Sequence, residues 1–210
     1  MNVALFLPKF DANANLETHI NKLNNESVLN VFSDVAIDFL ASISKKLLKL
    51  REYPELVALG FWLRKSNLNS MIDDYLIRLK ENEILVPRGL AFHIAPSNVD
   101  SIFLYSWALS LLVGNKNIVR ISSELNAQIE LLLNILREIC LDERFQSITK
   151  TNLILTYNRN DEINAYISEK SDIRIIWGGD QTIQNIRKIA AKPTTKDVTF
   201  ADKFSYSVIK

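Results

Sequence analysis

The stretch from residue 88 to residue 123 constrains the fold more than any other part of this chain. It contains two short apolar runs, Leu90–Ile94 and 118–121, on either side of a longer apolar segment at 101–113. Each short run is bounded by glycine, proline or polar residues, which predicts a buried strand. The longer segment predicts a buried helix that ends at Gly114. A strand, a helix and a second strand form a βαβ unit, so the two strands should be parallel.

The same alternation of strands and helices continues to the end of the chain. Further strands are predicted at 153–156, 173–177, 198–200 and 206–209, and further helices at 123–141, 161–170 and 182–191. Strands separated by helices predict an α/β fold with a doubly wound, mostly parallel, Rossmann-like sheet. We therefore assign residues 86–210 to one domain built on this sheet.

The first 85 residues are predicted to form a mainly helical segment that packs on this sheet. Helices are expected from Ser33, from Pro54 and over 70–81, because apolar residues recur there at helical spacing. Residues 3–7 predict a short strand. The polar stretch at 11–25 predicts a loop or a weak helix.

Composition excludes several classes of function. The net charge is +1 and no basic block is present, which gives no support for nucleic-acid binding. The single cysteine, Cys140, excludes an internal disulfide and fits a reducing compartment. The amino terminus lacks the pattern of a signal peptide, and the apolar helix at 101–113 is too short to span a membrane. A cytoplasmic protein is the expectation.

Polar residues that follow the predicted strands are the candidate site residues. Asn98 follows the first strand of the βαβ unit, Arg120 and Ser122 lie at the end of the second, and Gly178-Gly179-Asp180 joins a later strand to a helix. Open parallel sheets bind ligands at the carboxyl ends of their strands. These residues are therefore predicted to line one binding crevice.

Each candidate also has a purely structural interpretation. Asn98 could donate to an oxyanion or cap a helix, and Arg120 could hold a phosphate or ribose or be a solvated charge. The segment 178–180 could contact a phosphate or ribose, or form a tight turn capped by Asp180. Neither the GxGxxG nor the GxxxxGK[ST] fingerprint occurs in the sequence. Local pattern alone leaves both interpretations open.

Two further residue types give weaker signals. His93 lies inside an apolar strand and is interpreted as a core histidine rather than a catalyst. Cys140 lies between Ile139 and Leu141 on a helix and is interpreted as a buried structural cysteine rather than a nucleophile. Histidine and cysteine are too few and too scattered to predict a zinc site.

Three stretches carry a resemblance to a known family. They are PRGLAFHIAPSNVDSIFLYSWALSLLVGNKNIVRISS at 87–123, DIRIIWGGDQTIQNIR at 172–187 and VTFADKFSYSVI at 198–209. In order and spacing the chain resembles the acyl-CoA reductases of the LuxC type, which are fatty-acyl reductases distantly related to the aldehyde dehydrogenase superfamily. The resemblance covers most of residues 87–210, whereas the segment before residue 85 is similar only in general character.

This resemblance implies NADPH-dependent reduction of a fatty acyl-CoA to the aldehyde through a cysteine thioester. Asn98 matches the position that supplies an amide to the oxyanion. Arg120, Ser122 and Ser123 match the stretch that holds the adenosine ribose. Ser123 stands where the superfamily has an acidic residue, and losing that carboxylate favours NADPH over NADH, although the neighbouring Glu124 leaves this open. Gly178, Gly179 and Asp180 match the turn that meets the pyrophosphate.

The sequence departs from the superfamily at two points. Thr199 stands near the position of the hydrolytic general base, which fits a reductase that need not activate water. The nucleophilic cysteine of the family falls beyond residue 210, so the chain is expected to be an amino-terminal, cofactor-binding part without the cysteine domain.

Three hypotheses follow. In the first, the chain is part of such a reductase, which takes acyl-CoA as substrate and needs the missing cysteine segment for turnover. In the second, it is a non-catalytic nucleotide-binding module, which includes a truncated remnant or the partner subunit of a split reductase whose carboxy-terminal chain carries the cysteine. The third hypothesis is an α/β domain that binds another ligand. A sheet that ends at 209 would expose an edge or an apolar face, which predicts self-association or a homo-oligomer.

Overall fold

The structure, a computed structural model, describes residues 1–95 and 101–201. Within them, seven strands form one sheet. The strands are, in chain order, β1 (Asn2–Leu7), β2 (Asp11–Asn15), β3 (Leu90–Ile94), β4 (Lys116–Arg120), β5 (Asn152–Thr156), β6 (Ile173–Trp177) and β7 (Lys196–Phe200). The helices are α1 (Leu16–Asn25), α2 (Asp34–Leu47), α3 (Pro54–Trp62), α4 (Lys65–Leu76), α5 (Phe103–Leu112), α6 (Ala127–Cys140), α7 (Gln146–Thr151), α8 (Asp161–Lys170) and α9 (Asp180–Arg187), with a short 3-10 turn at Glu143–Phe145.

The sheet has the order β2-β1-β5-β4-β3-β6-β7. Strands β5, β4, β3, β6 and β7 are all parallel to their neighbours, whereas β1 is antiparallel to both β2 and β5. The five parallel strands appear in the sheet in the order third, second, first, fourth, fifth, which is the order of a Rossmann fold. The predicted doubly wound, mostly parallel α/β sheet is therefore confirmed.

The βαβ unit at the centre forms as its sequence predicts. Strand β3 pairs with β4 in parallel from Leu90 opposite Lys116 to Ile94 opposite Arg120, and the apolar helix α5 connects them. Gly114 follows α5 with a φ of +82°, and a Cβ there would lie 2.3 Å from the carbonyl oxygen of Leu29. Only glycine fits at this position, so the helix ends where the glycine predicts.

Alternating side chains divide the interior into two cores, one on each face of the sheet. On β5, Ile154 belongs to one core, whereas Leu153 and Leu155 belong to the other. Helices α2, α5 and α6 cover the first face, which we call the α5 face, and α1, α8 and α9 cover the second, which we call the α8 face. Helices on both faces are what a buried parallel sheet requires.

The first 85 residues contribute two strands to the sheet as well as helices. The strand predicted at 3–7 is β1, and it places Ala4 opposite Thr156 of β5. The stretch at 11–25, predicted to be a loop or a weak helix, forms the edge strand β2 and then α1. Strand β2 buries only Ala14, so its sequence carries no alternating apolar signal. Asn15 caps α1 by accepting from the backbone N–H of Thr18 at 2.9 Å.

Several boundaries differ from those predicted. Helix α4 begins at Lys65, five residues before the predicted start, and α6 begins at Ala127, after the cap residue Asn126. The short helix α7 was not predicted, because its six residues are too few to show a helical period. The strand predicted at 206–209 lies outside the described residues.

Candidate cofactor site at the strand ends

The fold reverses direction at β3, and this places a crevice at its carboxyl end. From β3 the chain passes through α5 on one face to β4, and the later strand β6 lies on the other side of β3, reached through α8 on the opposite face. Ligands of open α/β sheets bind at such a switch point. Asn98 follows β3 in sequence but lies outside the described residues, so its catalytic role stays a prediction.

Arg120 ends β4 beside this crevice. Its guanidinium lies over the ring of Tyr157, 5.0 Å from the ring centre, and its buried Nε has no hydrogen-bond partner among the described residues. The Tyr157 hydroxyl donates to Asn164 Oδ1 at 2.7 Å, and burial raises the pKa of that hydroxyl, which keeps it neutral. In the described part of the chain no carboxylate pairs with Arg120. A cation without a counterion at a strand end is suited to an anionic or polar ligand.

The two serines that follow have different surroundings. Ser122 Oγ accepts from the backbone N–H of Glu124 at 3.2 Å, so this hydroxyl shapes the turn before α6. Ser123 is exposed and lines an open cleft that the carboxyl end of β5 also lines. The structure therefore places Arg120, Ser122 and Ser123 together, as the sequence predicts, but only Ser123 faces this cleft.

The turn at 178–180 lies at the end of β6. Gly178 has a φ of +156°, and a Cβ there would lie 3.1 Å from the Thr182 side chain. Gly179 is the cap residue of α9, and no side chain accepts from its first turn. Asp180 is the first residue of the helix rather than its cap, so the interpretation of a turn capped by Asp180 is wrong. The backbone N–H of Gly178 donates to Phe200 O at 3.2 Å, whereas the N–H groups from Gly179 onward are left available to a ligand.

The two groups of candidates lie on either side of β3. Since neighbouring strands are about 4.8 Å apart, the ends of β4 and β6 are separated by about 10 Å. The structure thus brings Arg120, Ser122 and Ser123 to one edge of the sheet together with Gly178, Gly179 and Asp180.

The open cleft beside Ser123 was not predicted from the sequence. Its volume is about 390 Å³, and it lies between the β5–α8 loop and the β1–β2 hairpin. The loop contributes Asn158, Arg159 and Asn160, and the hairpin contributes Asn2 and Asn13. A signal was present in the polar triplet at 158–160, which follows a strand of the parallel sheet. The hairpin side of the cleft gave no comparable signal.

His93 is part of a buried hydrogen-bond network beneath α5. The side chain is fully buried, with Nε2 3.0 Å from Asn117 Oδ1 and Nδ1 3.2 Å from Ser106 Oγ. Asn117 Nδ2 donates to Asn152 Oδ1, so Asn117 Oδ1 faces the imidazole, and Nε2 must carry the proton. Burial lowers the pKa of His93 to about 4, which keeps the ring neutral. The interpretation of a core histidine is confirmed.

This buried network extends to both ends of the α5 face. Trp107 Nε1 donates to Asn152 Oδ1 at 2.7 Å at one end. At the other, Trp177 Nε1 donates to Ser106 Oγ at 3.3 Å, and the indole stacks on Phe200 with 3.9 Å between ring centres. The network therefore connects the core to the last residue of β6, directly before Gly178.

Cys140 is not suited to nucleophilic chemistry. Burial raises the pKa of its thiol to about 12, so the thiolate is scarce at neutral pH. It also ends α6, and a helix that connects parallel strands runs back toward their amino ends. Cys140 thus lies at the edge of the sheet opposite the crevice. The interpretation of a structural cysteine is confirmed.

The described residues contain neither a candidate metal site nor a candidate membrane span. No group of three or more His, Cys, Asp or Glu side chains is placed to hold a metal ion. No helix within those residues has both the length and the apolar character that a membrane span requires.

The family of the chain follows from a comparison with family models. The model for acyl-CoA reductase (LuxC) matches residues 63–210, which is most of the chain. The chain belongs to the LuxC family of acyl-CoA reductases. The predicted resemblance is therefore confirmed, and the match begins directly after α3, before the stretches that carried the prediction. No curated protein matches the chain significantly.

Solved structures of aldehyde dehydrogenases share the fold of this LuxC family chain. Aldehyde dehydrogenase 21 from Physcomitrella patens, solved with succinate, has a TM-score of 0.64 at 12% identity, covering 96% of this chain and 48% of that one. Glyceraldehyde-3-phosphate dehydrogenase from Methanocaldococcus jannaschii, solved with NADP, has a TM-score of 0.54 at 14% identity, covering 95% and 50%. The chain thus spans about half the length of these structures.

Proposed function

We propose that this chain binds NADPH and forms the cofactor-binding part of an enzyme that reduces a fatty acyl-CoA to the aldehyde. The observation that carries the proposal is Arg120, a cation whose buried Nε has no partner and which lies beside the switch point of a Rossmann-like sheet. Burial of an unpaired polar group costs stability, and a bound ligand that accepts from it removes that cost. Membership of the LuxC family supports the reaction class.

The residues at the strand ends fit a dinucleotide. The uncapped first turn of α9 presents backbone N–H groups from Gly179 onward, and these would hold the pyrophosphate. Arg120 and Ser123 would hold the adenosine ribose, and the Ser122 hydroxyl would keep the turn between them in place. Asp180 is exposed, so its carboxylate is solvated, and we assign it to a ribose hydroxyl rather than to a phosphate.

The chemistry divides between the cofactor and the chain. A bound nicotinamide supplies the hydride. Addition of hydride to a thioester carbonyl develops negative charge on oxygen, and we assign the Asn98 amide to donate a hydrogen bond to that oxygen. His93 stays neutral at physiological pH and takes no part in proton transfer, because its ring nitrogens are both engaged inside the core.

The cysteine that carries the acyl group is proposed to come from elsewhere. Cys140 is the only cysteine in the sequence, its thiol has a raised pKa, and it lies at the wrong edge of the sheet. We therefore propose that the nucleophile lies carboxy-terminal to residue 210, on the same chain or on a partner chain, with acyl-CoA as the substrate of the whole enzyme.

A non-catalytic nucleotide-binding module is the alternative. The single unreactive cysteine favours it, because the thioester step has no nucleophile within these residues. Both proposals require nucleotide binding, and they differ in whether acyl-CoA is ever consumed.

Titration of the purified chain with NADPH and with NADH, followed by the fluorescence of the reduced nicotinamide, tests the proposal. We expect NADPH to bind without being oxidised, also after a long-chain acyl-CoA is added. Adding a cysteine-bearing carboxy-terminal half of an acyl-CoA reductase should then start oxidation. Binding that never leads to oxidation would support the non-catalytic module, and a folded chain that binds neither nucleotide would refute both.

A further inference from the structure

The cleft beside Ser123 has the position and the charge of an anion site. It lies between the β5–α8 loop and the β1–β2 hairpin, and its volume of about 390 Å³ is enough for a phosphorylated sugar. Arg159 is the charged residue among the described side chains that line it, and no Asp or Glu lines it. The cleft is otherwise polar, with the hydroxyl of Ser123 on one wall and the amides of Asn13 and Asn158 nearby.

The cation in this cleft is not engaged by the protein. Arg159 is exposed, and among the described residues it makes neither a hydrogen bond nor an ion pair. The exposed Arg144, by contrast, pairs with Asp142 at 2.6 Å. Arg159 and Tyr157 line the same cleft, and Arg120 lies over the Tyr157 ring; neither guanidinium has an ion-pair partner among the described residues.

The geometry of the sheet connects this cleft to the proposed ribose position. The exit of β4 is held against the end of β5 by two hydrogen bonds, from Ile121 N to Leu155 O and from Thr156 Oγ1 to Ile121 O, both at 3.0 Å. The proposed ribose position lies at the end of β4. The neighbour of β4 in the sheet on the side away from β6 and Gly178 is β5, whose end lines the cleft. A group attached to the ribose on that side enters the cleft about one strand spacing, roughly 5 Å, from Arg120.

We propose that the cleft binds the 2′-phosphate of the adenosine ribose and that Arg159 distinguishes NADPH from NADH. This inference rests on the proposed function, since it assumes that the ribose lies at the end of β4. A guanidinium offers a phosphate two parallel hydrogen bonds, and charge-assisted bonds of this kind are stronger than those to a neutral hydroxyl. NADH presents only a hydroxyl there and gains nothing comparable from Arg159.

The test compares Arg159→Gln with Arg78→Gln. Arg78 is also exposed, follows α4 and does not line the cleft, and its side chain makes no contact among the described residues, so its loss controls for net charge. We expect Arg159→Gln to weaken NADPH binding by about 10- to 100-fold while leaving NADH binding unchanged. Arg78→Gln should change neither, and Arg159→Lys should restore part of the NADPH affinity.

Small probes separate this inference from the proposed function. Calorimetric titrations with 2′-AMP, 5′-AMP and inorganic phosphate report on the cleft without the nicotinamide. Binding of 2′-AMP that Arg159→Gln abolishes would support the inference even if NADPH fails to bind. If the wild type prefers NADPH and Arg159→Gln keeps that preference, the inference is wrong and the proposed function stands. Equal binding of all three probes, or of none, would also overturn it.

Discussion

Two polar regions of this molecule are built in opposite ways. Beneath α5, the side chains of His93, Asn117 and Asn152 form a closed network in which each ring nitrogen and amide group has a partner. At the carboxyl ends of the strands, Arg120 and Arg159 have no hydrogen-bond or ion-pair partner in the described part of the chain. Polar groups that serve the fold are satisfied within it, whereas groups that serve a ligand are left open.

The two regions also differ in the buried polar atoms that they leave without a partner. Of the three buried side-chain atoms without a partner in the described residues, those of Ser33 and Ser168 are neutral hydroxyls, and only that of Arg120 belongs to a charged group. Substitutions in the network beneath α5 should therefore lower stability, and substitutions at the strand ends should lower binding.

The largest effect is expected for Asn117→Ala. Asn117 is fully buried and contacts His93, Asn152 and the carbonyl of Asn115, so its removal leaves several buried groups unpaired. We expect the free energy of unfolding to fall by about 3–4 kcal/mol in urea denaturation. Asn25→Ala, at an exposed asparagine, is the matched control and should change it by less than about 0.5 kcal/mol. A loss below about 1 kcal/mol at Asn117 would contradict the comparison.

The next effect concerns pH. The pKa of His93 is about 4 in the fold and 6.5 when unfolded, so the unfolded chain binds the extra proton between these values. The neutral His93 ring therefore contributes its full share to the free energy of unfolding above pH 6.5. That contribution, about 3 kcal/mol in total, is lost as the pH falls toward 4. Urea denaturation at pH 7, 6, 5 and 4 measures this. In His93→Gln the free energy of unfolding should fall by about 3 kcal/mol less between pH 7 and pH 4 than in the wild type. An equal pH dependence in the two proteins would refute the assignment of this effect to His93.

Arg120→Met should lower nucleotide binding more than it lowers stability. Replacing the guanidinium removes a stacking contact with Tyr157 but also a buried group without a partner, so the free energy of unfolding should change by less than about 1 kcal/mol. The affinity for both NADPH and NADH should fall about 10-fold or more, because the ribose is common to both. A large loss of stability with unchanged binding would place Arg120 among the structural groups.

The smallest effect is expected for Ser106→Ala. Ser106 connects the network beneath α5 to Trp177, at the carboxyl end of β6. Its hydroxyl accepts from Trp177 Nε1 and faces His93, so its loss should lower the free energy of unfolding by about 1–2 kcal/mol. The indole also loses its acceptor, which should shift the tryptophan emission. Ser42→Ala, which removes a half-buried hydroxyl that donates to Asp38 O within α2, should leave the emission unchanged. An unaltered spectrum in Ser106→Ala would mean that Trp177 is held by Phe200 alone.

The sequence predicts those parts of the fold where local chemistry and tertiary structure agree. Strands β3 and β6 and helix α8 have the predicted bounds, since each apolar run is delimited by glycine or a polar cap such as Asn160. Strand β2 was not predicted, because it is polar and gains its structure only from pairing with β1. Propensity cannot reveal an element that another segment stabilises.

The candidate site could be predicted only in part for a related reason. Residues that directly follow a strand, such as Arg120 and Gly178, are recognisable from sequence because parallel strands bring their ends together. The cleft beside Arg159 needs Asn2 and Asn13, which reach it through the antiparallel pairing of β1 with β5. No local pattern indicates a pairing between segments so distant in sequence.

The pairing of β1 with β5 also has a consequence for synthesis of the chain. Strand β1 leaves the ribosome well before its partner, from Ile154 to Thr156, because about 145 residues separate the two strands in sequence. Closing so long a loop is entropically costly, so this contact should form late in folding, after β3, β4 and β5 have paired. Until then the apolar edge of β5 is unprotected. Strand β1, although it is synthesised before β5, is therefore added to the sheet only after β3, β4 and β5 have paired.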